Sequence, residues 1–143
     1  MKNIHATTVD LDGAGILILG KSGSGKSDLA LRLIENKGAV LVSDDRTNIY
    51  AEQNQLFAET PKNIEGLLEV RGIGIIRKKF KSKTTIKLVV ELCDIKNTER
   101  YPFQLQNYVY ENVKLDLLKL CAFESSAPDK IVVKLKAVLE SKQ

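Results

Sequence analysis

AGILILGKSGSGKSDLALRLI, residues 14–34, carries three signals in the order strand, loop, helix. Ala14 to Leu19 is a short apolar run of the buried-strand kind. From Ser27 to Lys37, Leu29, Leu33 and Ile34 recur at helical spacing and fall on one face. Between them, Gly20, Lys21, Ser22, Gly23, Ser24, Gly25, Lys26 and Ser27 fit G-x-x-x-x-G-K-[ST], the loop that wraps nucleotide phosphates with backbone N–H groups. A helix starting at the end of such a loop points unpaired N–H groups and a partial positive charge at an anion. The pattern predicts a nucleoside triphosphate site, with Lys26 on the β- and γ-phosphates and the Ser27 hydroxyl on Mg²⁺.

Reading outward from the loop, Ile4 to Asp12 alternates loosely and ends at Asp12-Gly13, a hairpin-turn pair, so a β-hairpin is expected to feed the loop. Gly38 stands where the helix should stop, and Ala39 to Val42 is the next buried strand, running into Ser43, Asp44 and Asp45. Residues 49–62 are polar and read as a short strand plus turn closed by Pro61. LLEVRGIGII (67–76) mixes apolar residues with Glu69, Arg71 and two glycines, and a basic stretch, RKKFKSK (77–83), follows it. Thr84 to Leu92 puts Ile86, Leu88, Val90 and Leu92 on one face of a strand. From Cys93 to Glu124 the signals are mixed. Ser126 then reads as an N-cap, with Ala127 and Pro128 in the first turn and Ile131, Val132, Leu135, Val138 and Leu139 on the buried face of a closing helix. The sum is an α/β P-loop domain with a mixed, strand-rich sheet and fewer helices than a doubly wound nucleotide-binding fold.

The 143 residues suit one domain, 1–143. Apolar and charged contents of 43% and 28% are those of an ordinary globular chain rather than a disordered one. No apolar run reaches membrane-spanning length and the N-terminus lacks a secretory core, so no membrane association is expected. Cys93 and Cys121 have no partner-like spacing and read as free thiols, which fits a cytoplasmic protein. A net charge of +4 is mild: it suits polyphosphates or an acidic partner and does not make a nucleic-acid binder.

A P-loop needs carboxylates to complete its chemistry. Asp44 and Asp45 follow the second apolar strand, which brings them beside the phosphates. Adjacent acids at a strand end point in different directions, so one would hold Mg²⁺ through water while the other takes a proton from an attacking hydroxyl. Glu69 is a second candidate metal ligand, because an acid within an apolar run is expensive unless paired or functional; an ion pair with Arg71 is its rival role. His5 is the single histidine, and Arg100 lies in a polar turn that nothing local singles out. The basic stretch reads either as a solvated loop or as a surface for an acidic partner.

Three segments in order, GILILGKSGSGKSDLALRLI, VLVSDDRTNIY and LLEVRGIGII, resemble the catalytic domain of HPr kinase/phosphorylase. The resemblance runs from about His5 to Arg100. It implies a core similar to that of phosphoenolpyruvate carboxykinase, ATP and Mg²⁺ as cofactors, and a seryl hydroxyl of HPr or an HPr-like phosphocarrier as acceptor. It implies Asp45 as the proton acceptor with Asp44 beside it, Ser27 and Glu69 on the metal, and His5 and Arg100 as catalytic groups. A homo-oligomer is also implied. Longer members carry an N-terminal domain, whereas this chain begins at the kinase domain. The family's Pro- and Arg-rich C-terminal segment, linked to dephosphorylation, is replaced here by YENVKLDLLKLCAFESSAPDKIVVKLKAVL, so kinase activity is expected without strong phosphorylase activity. A non-catalytic ATP-sensing module and a small-molecule kinase on the same scaffold are the competing functions.

Overall fold

The computed structural model describes residues 1–98 and 106–141. Strand β1 (Lys2–Leu11) turns through Asp12 and Gly13, at φ 52° and 89°, into β2 (Ala14–Leu19). Two successive positive φ values match the right-handed twist of paired strands, as the Asp-Gly pair predicts. Helix α1 (Lys26–Lys37) ends at Gly38, whose N–H donates to the Leu33 carbonyl, and β3 (Val40–Ser43) follows.

The polar segment after it holds more than one strand. β4 (Arg46–Glu52) and β5 (Gln55–Glu59) form a hairpin about Gln53-Asn54, both at positive φ, with the Tyr50 and Phe57 rings stacked 5.3 Å apart across it. β6 (Leu67–Val70) and β7 (Gly74–Arg77) make a separate two-stranded ribbon. β8 (Lys83–Leu92) is the strand read from its apolar alternation. The region of mixed signals contains a further hairpin, β9 (Gln106–Tyr110) and β10 (Val113–Leu120), and α2 (Ala127–Ser141) closes the chain. At the start of α2 the Ser126 carbonyl accepts the first helical bond, from Lys130 N–H at 2.9 Å. Among the described residues no helix is long and apolar enough to cross a membrane.

The main sheet is mixed. β2, β8 and β10 run parallel, while β1 lies antiparallel to β2, β3 and β4. Because the start of β8 also pairs with β5, the path β2-β1-β4-β5-β8 returns to β2 and curls the sheet on itself. Two cores result. One lies under the helices, where Val9, Ile16, Ile18, Leu88 and Val90 meet Leu29 and Leu33 of α1 and Ile131 and Leu135 of α2. The other fills the inside of the curl with Ala6, Leu17, Ile49, Leu56, Ile86 and Val89.

Ile86 therefore departs from the expected single face: Leu88, Val90 and Leu92 face the helices, and Ile86 faces the curl. A register shift is the cause. Gly15 pairs with Ile86 but Ile16 pairs with Leu88, so Lys87 is bulged and the side-chain parity flips there. Gly15 is required at this seam, since a Cβ would lie 2.7 Å from both Thr84 Cγ2 and the Thr85 carbonyl oxygen.

The basic stretch 77–83 is largely exposed, and three of its lysines have partners within the chain. Lys78 pairs with Glu35 of α1 at 2.7 Å, and Lys81 pairs with the buried Asp10 at 3.1 Å. The Lys83 ammonium sits 4.8 Å from the Phe57 ring centroid. Asp10 also accepts from Thr84 Oγ1 at 2.6 Å and from Gly13 N–H at 2.9 Å, so one carboxylate ties the first hairpin to β8 and to the basic segment. Burial is the largest single influence on that carboxyl and would raise its pKa. The bonds from Thr84, Lys81 and Gly13 together outweigh burial and hold it below the ordinary 3.8.

Asp10→Asn should lower stability by about 1–3 kcal/mol near neutrality. The folded pKa lies below the unfolded one, so this contribution is complete above the unfolded value and is lost as pH falls through the folded value. Thermal unfolding of wild type and variant should show a Tm gap that narrows on acidification below about pH 4. A gap that widens in acid contradicts this role.

Candidate active site

The glycine loop leaves the end of β2 and turns back at Lys21, whose carbonyl accepts the Ser24 N–H at 3.1 Å. Gly25 caps α1 with φ 98° and no side-chain hydrogen bond, so the first N–H groups of the helix have no capping side chain. That left-handed φ suits glycine, and a Cβ there would meet Ala122 Cβ at 2.9 Å. The Lys26 ammonium is buried and donates to the carbonyls of Gly20 at 2.7 Å and Lys21 at 2.9 Å. Burial pushes its pKa below the ordinary lysine range, opposed by the charges of Asp45 and Asp44. Ser24 Oγ is buried in the loop with no hydrogen-bond partner. An orphaned hydroxyl, an ammonium held on loop carbonyls and an uncapped helix start fit a phosphate chain.

Asp44 and Asp45 diverge as adjacent acids at a strand end should. Asp44 is buried, and its Oδ1 accepts from Ser27 Oγ at 2.6 Å and Thr7 Oγ1 at 3.0 Å. Its Oδ2 accepts the Glu69 N–H at 3.1 Å. Asp45 takes a left-handed φ of 70°, and its side chain is 70% exposed. Asp45 Oδ1 meets His5 Nε2 at 2.9 Å, which leaves Oδ2 facing away from that bond. β1 builds this pair: His5 registers with Arg46, and the Ala6 N–H donates to the Asp45 carbonyl at 3.0 Å.

Thr7 links the acids. Its hydroxyl donates to Asp44 and accepts the Asp45 N–H at 3.3 Å, so the two carboxylates hold a common reference point. Nothing local in the sequence marks Thr7, a buried β-branched residue in a strand. Glu69 contributes its backbone to Asp44 while its side chain is exposed, and it makes no ion pair with Arg71. Among the described residues no cluster of three or more acidic, His or Cys side chains forms a closed metal cage. Mg²⁺ is usually held by one or two carboxylates with substrate phosphates and waters, so the Ser27 hydroxyl and the Asp44 carboxylate, in contact at 2.6 Å, suit such an ion without a cage, whereas the exposed Glu69 carboxylate is not brought onto them. Arg100 lies outside the described residues.

The other flank of the loop is fastened by Arg32, also unmarked in the sequence. Its guanidinium donates to the carbonyls of Ala122 and Glu124, which lays the 121–124 turn against Gly25. Cys93 and Cys121 are free thiols. A cleft of about 400 Å³ beside Asn54, Thr85, Lys87 and Asn112 opens at the start of β8, away from the loop, and is lined by none of the predicted site residues.

Comparison with known proteins gives this geometry its relatives. Residues 1–138 match the family HPr Serine kinase C-terminal domain. The HPr kinase/phosphorylase of Lactobacillus acidophilus is 38% identical over 124 residues, covering 79% of this chain and 38% of that protein. The HPr kinase/phosphorylase of Mycoplasmopsis pulmonis is 37% identical over 115 residues, covering 80% of this chain and 35% of that protein. The chain thus spans well under half the length of these relatives. The structure of the Hpr(Ser) kinase/phosphatase from Coxiella burnetii superposes with a TM-score of 0.85 over all of both chains, at 24% identity, and shows the same fold. The chain belongs to the HPr serine kinase C-terminal domain family.

Proposed function

We propose that this chain is an ATP- and Mg²⁺-dependent protein serine kinase that phosphorylates HPr or an HPr-like phosphocarrier, regulating carbon metabolism or phosphotransferase signalling. The observation that carries this reading is the division of labour between the two acids: Asp44 buried on Ser27, Asp45 exposed beside His5. A module that only sensed ATP would have no use for an exposed carboxylate held ready next to the loop. Further support is the family of the chain and the printed names of its relatives.

Bound Mg·ATP supplies the phosphoryl group and, through the metal, spreads the charge of the phosphates. The chain's own residues do the rest. Loop N–H groups and the Lys26 ammonium hold the phosphates, while Ser27, Asp44 and Glu69 provide the oxygens for the metal. Asp44 keeps the Ser27 hydroxyl from rotating. His5 donates to Asp45 Oδ1 and fixes its rotamer, leaving Oδ2 to take the proton of the attacking serine hydroxyl. Arg100 is proposed to add positive charge as the phosphoryl group moves.

Phosphorylase activity is expected to be weak. Of the three lysines able to replace the family's C-terminal anion-binding residues, Lys78 is engaged with Glu35 and Lys81 with Asp10, and Lys79 is exposed. A cytoplasmic location and a homo-oligomer accompany the proposal.

The test is incubation with γ-labelled ATP and Mg²⁺, with and without HPr, followed by phosphoamino-acid analysis. Label should appear on a serine of HPr; label on small molecules alone, or none, contradicts the proposal. Lys26→Ala should lose about 100-fold or more in transfer together with ATP affinity. Asp45→Asn should bind Mg·ATP within about twofold of wild type yet lose about 100-fold or more in transfer, because an amide keeps the shape but takes no proton. Wild-type transfer by Asp45→Asn excludes Asp45 as the base.

A further inference from the structure

Phe123 is 70% exposed, yet the turn that carries it is held firmly. Arg32 binds the carbonyls on either side of it, at Ala122 and Glu124, and Cys93 N–H donates to the Leu120 carbonyl at 3.0 Å just before it. Ring atoms Cε1 and Cζ would stand 3.2 Å from a Cβ on Gly25, the residue that opens α1. An apolar ring is thereby kept in water on the lip of the phosphate loop by a turn that does not need it for packing.

The sheet gives the loop a direction. Its strands near the site run β3-β1-β2-β8-β10. Asp44 and Asp45 follow β3, on one side of β2, and Phe123 follows β10, on the other side. A polyphosphate whose reacting end lies at Asp44 and Asp45 extends its other end toward Phe123. In a nucleoside triphosphate that end carries the sugar and base. We propose that Phe123 is a stacking platform for the purine base of the bound nucleotide, a role that rests on the nucleotide-binding reading of the loop. Stacking uses the π-face of a base rather than its hydrogen-bonding edge, so ATP and GTP are held alike. The Arg32 bonds set the ring in place before binding, which reduces the ordering that binding requires.

The chain contains no tryptophan, so Phe123→Trp creates a single fluorescent reporter at this position. It is titrated with ATP, GTP and inorganic tripolyphosphate, each with Mg²⁺, and the affinities of wild type and Phe123→Ala for ATP and tripolyphosphate are measured by calorimetry. ATP and GTP should quench the tryptophan, while tripolyphosphate binds with little change in emission. Phe123→Ala should weaken ATP about fivefold or more and leave tripolyphosphate within about twofold of wild type. Equal ATP affinity in wild type and Phe123→Ala, or equal quenching by tripolyphosphate and ATP, overturns the stacking role while leaving the loop assignment intact. Failure of wild type to bind either ligand overturns the loop assignment, and the stacking role with it.

Discussion

The Asp44 carboxylate is the point on which three distant segments converge: Thr7 of β1, Ser27 of α1 and the Glu69 backbone of β6 all donate to it. Burying a charge is expensive unless it is paired or fully hydrogen-bonded, and here both oxygens have donors, with the Lys26 ammonium acting on it from the loop. Losing any one donor would leave part of a buried anion unsatisfied, which costs more than an average hydrogen bond contributes. The glycine loop, the Asp44-Asp45 turn and the β6–β7 ribbon are therefore positioned together.

What surrounds this contact explains why Asp45 is available beside it. β1 is long enough to pair with β2 and β3 along one half and with β4 along the other, so His5, Ala6 and Thr7 pass directly by the Asp44-Asp45 turn. The left-handed Asp45 turns its side chain out to His5 while its backbone stays tied to Ala6 and Thr7. Strain of this kind persists only where neighbours over-determine the conformation, and it concentrates at functional sites. The exposed carboxylate is held in place by a rigid sheet rather than by a flexible loop.

The parts legible from sequence were those encoded by contiguous residues. Strand, glycine loop and helix over 14–34 form one uninterrupted pattern, and Asp12-Gly13, Gly38 and the spacing of Ile131, Leu135 and Val138 carry their signals locally. The β4–β5 hairpin was obscured because its tight turn uses Gln53-Asn54, with no glycine. β10 was obscured by lysines and an acid interleaved with its apolar positions, β9 by its short length and polar Gln106-Asn107 start, and Ile86 by a bulge that simple alternation cannot register. Within the site, His5 was suggested by family resemblance alone, since its partner is 40 positions away by number and adjacent only across the β1–β4 pairing. Thr7 and Arg32 gave no signal because their roles exist only in tertiary contacts.

Mg²⁺-dependent ATP binding to Asp44→Asn, measured by calorimetry beside wild type, is the most direct test of Asp44 as both fastener and metal-directed charge. The amide keeps the size of the carboxylate and still offers one acceptor, so the variant should remain folded. It lacks the charge that holds Ser27 and that is proposed to attract the metal. The account predicts that ATP alone binds the two proteins with similar affinity and that Mg²⁺ tightens binding in wild type but not in Asp44→Asn. The same Mg²⁺-dependent gain in both proteins would contradict it.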